Sequence, residues 1–291
     1  MTPVSKRPSP SPPAGGVLYL VATPIGNLDD ITLRALTVLR EADLIACEDT
    51  RHTRKLLSHF QIATPLTSYY REKEVVKTGE IILALEAGKR VALVSDAGSP
   101  CLSDPGFVLV NEAQSRGLKV ATVPGPSALV AAIGLSGMRA ERFLFAGFPP
   151  ARGAERRRAL QSLAAQTCLL VFYESPHRLA ATLADCLEVL GDRPAALCKE
   201  LTKIHERCLR GTLSGLTHAL TGELTRGEFV LLVAGAEEKA APMGDADLAA
   251  LLAWHREEAG LSLKETVAKV AAELNLPRSQ VYRAALAVWG K

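Results

Sequence analysis

Three short polar stretches hold most of the residues able to move a proton or settle a charge. They are CEDTRHT (47–53), YESPHR (173–178) and KELTKIHE (199–206). Each follows an apolar run that reads as a strand, so each sits where the chain leaves a sheet. Glu48, Asp49 and Glu200 are carboxylates able to accept a proton or hold a hydroxyl, and Lys199 is able to stabilise a developing anion. A plainer reading stands beside each. Glu48 and Asp49 lie at a helix start, where they can pair with Arg51. Glu174 abuts a helix start, where a carboxylate is favoured anyway. Lys199 can pair with Glu200 or Glu206. The residues single out no one base, and catalysis by positioning alone stays open.

Three Gly/Pro loops accompany these stretches: ATPIGNLDD (22–30), SDAGSPCLSDPG (95–106) and VPGPSA (123–128). Glycine and small residues let a ligand approach the backbone, and exposed N–H groups can bind its polar atoms. TPIGNL has one glycine where the dinucleotide fingerprint needs three, and there is no G-x-x-x-x-G-K-[ST]. A conventional NAD or ATP site is therefore not expected. Asp96, at the end of the apolar run before the second loop, can bond its own loop backbone.

Strand and helix alternate around these loops. VLYLVA (17–22), DLIAC (43–47), RVALVS (90–95) and KVATV (119–123) read as strands. Helices fall between them, including one over 71–87. Asp104-Pro105-Gly106 reads as a helix start, with Asp as N-cap and Pro at the first position. This pattern implies a parallel sheet with helices on its faces, and ligands then bind beyond the carboxyl ends of its strands. A second run of strands follows at 143–147, 168–173, 195–200 and 228–235, with another near HERCLRGTLS. Ser175 and Gly191 bound a helix. The expected organisation is a disordered tail (1–16), an N-terminal α/β lobe (17–125), a C-terminal α/β lobe (126–236) and a helix-turn-helix module (245–291) after a polar linker. Two helices in that module break at Asn275-Leu276-Pro277.

The chain has 291 residues, too many for one ordinary core. A net charge of +3 gives no polybasic signal for nucleic acid. Six scattered cysteines without a C-x-x-C pair favour buried thiols in a reducing, cytoplasmic setting, and no metal site is expected. No apolar run is long enough for a membrane span.

Taken together, the run LYLVATPIGNLDDITLRALTVLREADLIACEDTRHTRKLL, the loop SDAGSPCLSDPG, VPGPSA, FYESPHR and KELTKIHE resemble the tetrapyrrole-methylase-like group of S-adenosylmethionine-dependent methyltransferases. Within it they look like the branch that methylates the ribose 2′-oxygen of a cytidine in small-subunit ribosomal RNA. The resemblance implies a cleft between two α/β lobes. It places Ile25, Asp96, Ser99, Ser127, Ala128, Tyr173, Leu201 and Phe229 around the donor. It also implies an assembled small subunit as partner and a homodimer. Arg51, Arg54, Arg156, Arg157, His177 and Arg178 are then candidate RNA contacts, although such clusters also occur as solvated helix faces. Two other functions stay in view: methylation of a small tetrapyrrole-type molecule, and non-catalytic RNA binding through the helix-turn-helix.

Overall fold

The computed structural model describes residues 16–220, 227–237, 245–274 and 276–290. Nearly all of the expected tail, most of the polar linker and Asn275 lie outside the described residues. The chain divides into two units, residues 1–236 and 237–291.

The first sheet is wholly parallel. β1 (Val17–Val21), β2 (Leu44–Cys47), β3 (Leu66–Ser68), β4 (Arg90–Val94) and β5 (Lys119–Val123) lie in the order β3-β2-β4-β1-β5. A parallel sheet needs cover on both faces, so its strands are apolar throughout rather than alternating. β4 illustrates this: four of the five residues in RVALV are buried. One face packs Val21, Ile45 and Val94 against Leu39 of α1 (Leu33–Glu41) and Leu57 of α2 (Thr50–His59). The other packs Leu18 and Leu93 against Ile81 and Ile82 of α3 (Glu74–Glu86) and Leu109 of α4 (Phe107–Ser115).

α4 does not begin as the Asp-Pro-Gly pattern suggests. Its N-cap is Gly106, at φ 138°, with no side-chain cap from its own segment. The capping group comes from α3 instead. The Glu74 carboxylate accepts from the Gly106 N–H at 2.8 Å and from the Tyr69 hydroxyl at 3.1 Å. Asp104 is thereby released from capping.

The second sheet is mixed. β6 (Phe143–Gly147), β7 (Leu169–Glu174), β8 (Pro194–Lys199), β9 (Arg207–Thr212) and β10 (Phe229–Val233) lie in the order β6-β7-β10-β8-β9. Only β6 and β7 are parallel; β10 runs antiparallel to both β7 and β8, and β8 to β9. β8 turns directly into β9 with no crossover helix, so that pair has to be antiparallel. One face of the sheet is covered by α6 (Gly153–Leu163), α7 (Pro176–Leu190) and α8 (Leu213–Ala219) around Phe172, Leu197 and Leu231. The other face is covered by α5 (Ala128–Ser136), which packs on β8, β9 and β10. Ile25, from the loop after β1, joins this second core beside Leu129, Val171, Leu201 and Val230. The two lobes therefore share apolar packing.

Within the other unit, α9 (Asp245–Glu257), α10 (Leu263–Glu273) and α11 (Arg278–Trp289) pack pairwise around Leu252, Val270 and Val281. Ser262 and Glu265 form a capping box at the start of α10.

Arg156 is buried, with 5% of its surface exposed, and its guanidinium lies 2.6 Å from the Asp185 carboxylate. Removing one partner of a buried pair leaves the other charge uncompensated. Asp185→Ala is expected to cost about 3–5 kcal/mol, read as a lower urea midpoint at unchanged slope. A loss under about 1 kcal/mol would mean that solvent reaches Arg156.

Candidate functional site

The strand order of the first sheet brings three βα loops to one edge. Thr23 and Gly98 form an isolated antiparallel bridge, with N–H···O distances of 2.8 and 3.0 Å. The Thr23 hydroxyl also donates to the Ser95 carbonyl at 3.2 Å. The first loop and the loop after β4 are thus fixed to each other. The first loop is fixed to the second lobe as well: the Asn27 N–H donates to the Thr202 hydroxyl at 3.0 Å. Gly26 lies so close to that lobe that a Cβ would stand 2.8 Å from the Leu201 carbonyl oxygen.

These contacts border an open cavity of about 450 Å³, within the range of small-ligand sites. Ile25, Asp96, Ser99, Ser127 and Ala128 line it from the first lobe and α5, and Tyr173, Leu201 and Phe229 from the second. All eight positions to which the resemblance points therefore face one space. Leu102, Ser103 and Phe148 also line it. Phe148 and Phe145 pack edge-on to the Tyr173 ring, with centroids 5.5 and 4.8 Å away.

Among the described residues, the wall carries the carboxylates Glu48, Asp96, Asp104, Glu174 and Glu228, and no Lys, Arg or His. Asp96 accepts from the Asp49 N–H at 3.1 Å. Glu174 is almost wholly buried; it accepts from the Ser175 N–H at 2.8 Å and the Thr182 hydroxyl at 2.5 Å, and Arg178 lies 3.4 Å away. Burial pushes Glu48 above the usual carboxylate range, Asp104 and Asp96 push it further, and Arg71 opposes them. Burial raises Asp104 likewise, against the pull of Ser95 and Arg71. The Tyr173 hydroxyl is raised mainly by burial.

The other reaction candidates lie elsewhere. Asp49 caps α2, and the Arg51 side chain and N–H hold it well below the usual carboxylate range. Lys199 stands over the Phe229 ring, 5.9 Å from its centroid. Glu200 accepts from Lys203 and from the Glu228 N–H, each at 3.0 Å. None of these three lines the cavity. Among the basic candidates, Arg51, Arg54, Arg157 and His177 are exposed. Arg156 is not available to RNA, because it is buried against Asp185. Arg178 is partly buried, donating to the Pro149 carbonyl and paired with Glu174. Asp104 was the residue missed: its local pattern matches a helix cap, and only the long-range bond from Glu74 shows otherwise.

The chain matches the Tetrapyrrole (Corrin/Porphyrin) Methylases family over residues 17–217. A protein of Halalkalibacterium halodurans named ribosomal RNA small subunit methyltransferase I is 44% identical, over 92% of this chain and 93% of its own. A Thermotoga maritima protein of the same name is 46% identical, over 76% of this chain and 100% of its own. The chain belongs to the tetrapyrrole (corrin/porphyrin) methylase family. Among solved structures, that of a cobalt precorrin-4 methyltransferase superposes with a TM-score of 0.57 at 18% identity, covering 75% of this chain and 94% of that one. That likeness concerns the fold, which is a two-lobed α/β methylase fold with added C-terminal helices.

Methylases of this family use S-adenosylmethionine, and the cavity fits it. A wall rich in carboxylates suits a sulfonium better than a diphosphate. Asp96 and the backbone of Ala97–Ser99 are the polar groups of the wall that would hold it, and Ile25, Leu201 and Phe229 would meet its apolar parts. When bound, the donor supplies an electrophilic methyl group.

A cation beside Glu48 and Asp104 favours their ionised forms, so donor binding releases protons wherever the free protein still holds them. By linkage, donor affinity is expected to rise with pH through the usual carboxylate range and to level off above the raised values. Calorimetric titrations from mildly acidic to neutral pH check this. A flat or falling profile would mean that neither carboxylate faces the sulfonium.

Proposed function

We propose that this methyltransferase acts on the ribose 2′-hydroxyl of a cytidine in small-subunit ribosomal RNA, with the assembled subunit as acceptor, in the cytoplasm. The names of its relatives support the acceptor class. The chemistry rests on one observation: of Glu48, Asp49, Lys199 and Glu200, only Glu48 lines the cavity. A ribose hydroxyl is a poor nucleophile at neutral pH and gains from a base within reach. Burial holds Glu48 above its usual range in the free protein, and the donor cation favours its ionised, proton-accepting form. A Glu48 carboxylate oxygen takes the hydroxyl proton as the oxygen becomes nucleophilic. The packed lobes keep donor and acceptor in line.

The reading includes a homodimer. Val75, Val76 and Leu83 on α3 and Phe107 at the start of α4 are exposed apolar side chains on two helices that pack together. Such a patch suits a second copy.

The test is transfer of labelled methyl from S-adenosylmethionine to small subunits lacking the modification, with the product mapped on the RNA. Label is expected on a cytidine 2′-oxygen. Glu48→Gln is expected to lower kcat at saturating donor by about 10²–10⁴, with a smaller loss of donor affinity because Glu48 faces the sulfonium. Label on a base, or on a porphyrinoid in place of RNA, would overturn the acceptor. A kcat within threefold would assign catalysis to positioning alone.

A further inference from the structure

The segment from Glu200 to Glu206 has features that packing does not explain. Two non-glycine residues, Glu200 (φ 50°) and Thr202 (φ 63°), take the left-handed conformation, which is unfavourable for any residue with a Cβ. The segment is nevertheless braced throughout. The Glu200 carboxylate accepts from the Lys203 ammonium and the Glu228 N–H, each at 3.0 Å. The Glu206 carboxylate accepts from the Thr202 N–H at 2.7 Å. The Lys203 N–H donates to the Glu200 carbonyl and the Glu206 N–H to the Lys203 carbonyl, both at 3.0 Å. The Thr202 hydroxyl accepts from Asn27 of the first lobe.

This rigid frame does two opposite things with its apolar residues. Leu201 is buried and forms part of the cavity wall. Ile204, three positions on, is 98% exposed. A loop that only closed the cavity would have no reason to hold a branched apolar side chain in water. His205 and Arg207, which follow, are exposed and can meet phosphate.

A ribose that has to enter the cavity reaches it more readily when its nucleotide leaves the stack. Enzymes that act on the base of a stacked nucleotide extrude it, and the same device serves a ribose that must enter a cavity. Nucleic-acid-bending proteins achieve unstacking with Ile, Leu, Met or Phe inserted between base steps. Resting on the ribosomal RNA reading above, we propose that Ile204 is an apolar wedge. It enters between stacked bases of the acceptor and holds the target nucleotide out, so that its ribose reaches the cavity beside Leu201. The strained, braced loop fixes the wedge in place before RNA arrives, which removes the cost of ordering it on binding.

The test compares Ile204→Ser and Ile204→Met with the native enzyme on small subunits lacking the modification. I204S is expected to lower kcat/KM for labelled transfer by at least about tenfold, and I204M to keep it within about threefold. Donor affinity, melting temperature and sedimentation are expected to stay unchanged in both. In bound subunits, dimethyl sulfate reactivity of the bases flanking the target is expected to rise with the native enzyme and not with I204S. Full transfer by I204S would overturn the wedge. So would a loss accompanied by weaker donor binding, which would make Ile204 part of the cavity's support, or by altered sedimentation, which would place it against a second copy. Absence of transfer to RNA by the native enzyme would overturn the acceptor reading and the wedge with it, whereas native transfer with an unaffected I204S overturns the wedge alone.

Discussion

The site depends on the approach of one loop to one lobe. Gly26 stands where a Cβ would press on the Leu201 carbonyl and the Thr202 hydroxyl, each 2.8 Å away. That closeness lets Asn27 donate to Thr202 and lets Ile25 join the core of the second lobe. Without it, Leu201 would not face Asp96 across a cavity, and the Glu200–Glu206 segment would lose its tie to the first lobe. The apolar part of the contact is non-directional and supplies affinity between the lobes. The hydrogen bond fixes their register.

Closure has an electrostatic consequence. It draws several carboxylates around one space. Two of the acids rise above their usual range because burial penalises their charge. A cationic ligand relieves that penalty, and a phosphate would add to it. The donor's charge thus favours the ionised form of Glu48 that can accept a proton. Asp49 and Glu200 have cations beside them, Arg51 and Lys203, and are correspondingly poor bases.

Much of this was legible in the sequence, for a local reason. The loops after β1, β4 and β5 carry glycine, proline and small residues because a parallel sheet puts its ligand site at those ends. The positions matched by resemblance therefore fell together around the cavity. What was not legible depends on partners distant in the chain. Asp104 reads as a helix cap until Glu74 supplies the cap from α3. Arg156 reads as part of a surface cluster until Asp185 is brought to it from α7. The mixed second sheet was hidden because β10 inserts between β7 and β8 from far along the chain.

The account stands on closure at Gly26, so titration of Gly26→Ala with S-adenosylmethionine by calorimetry tests it most directly, alongside circular dichroism of the same sample. The account predicts native secondary structure with donor binding sharply weakened, because the added methyl forces the lobes apart. Native affinity in that variant would contradict it, since the cavity would then form without the close approach.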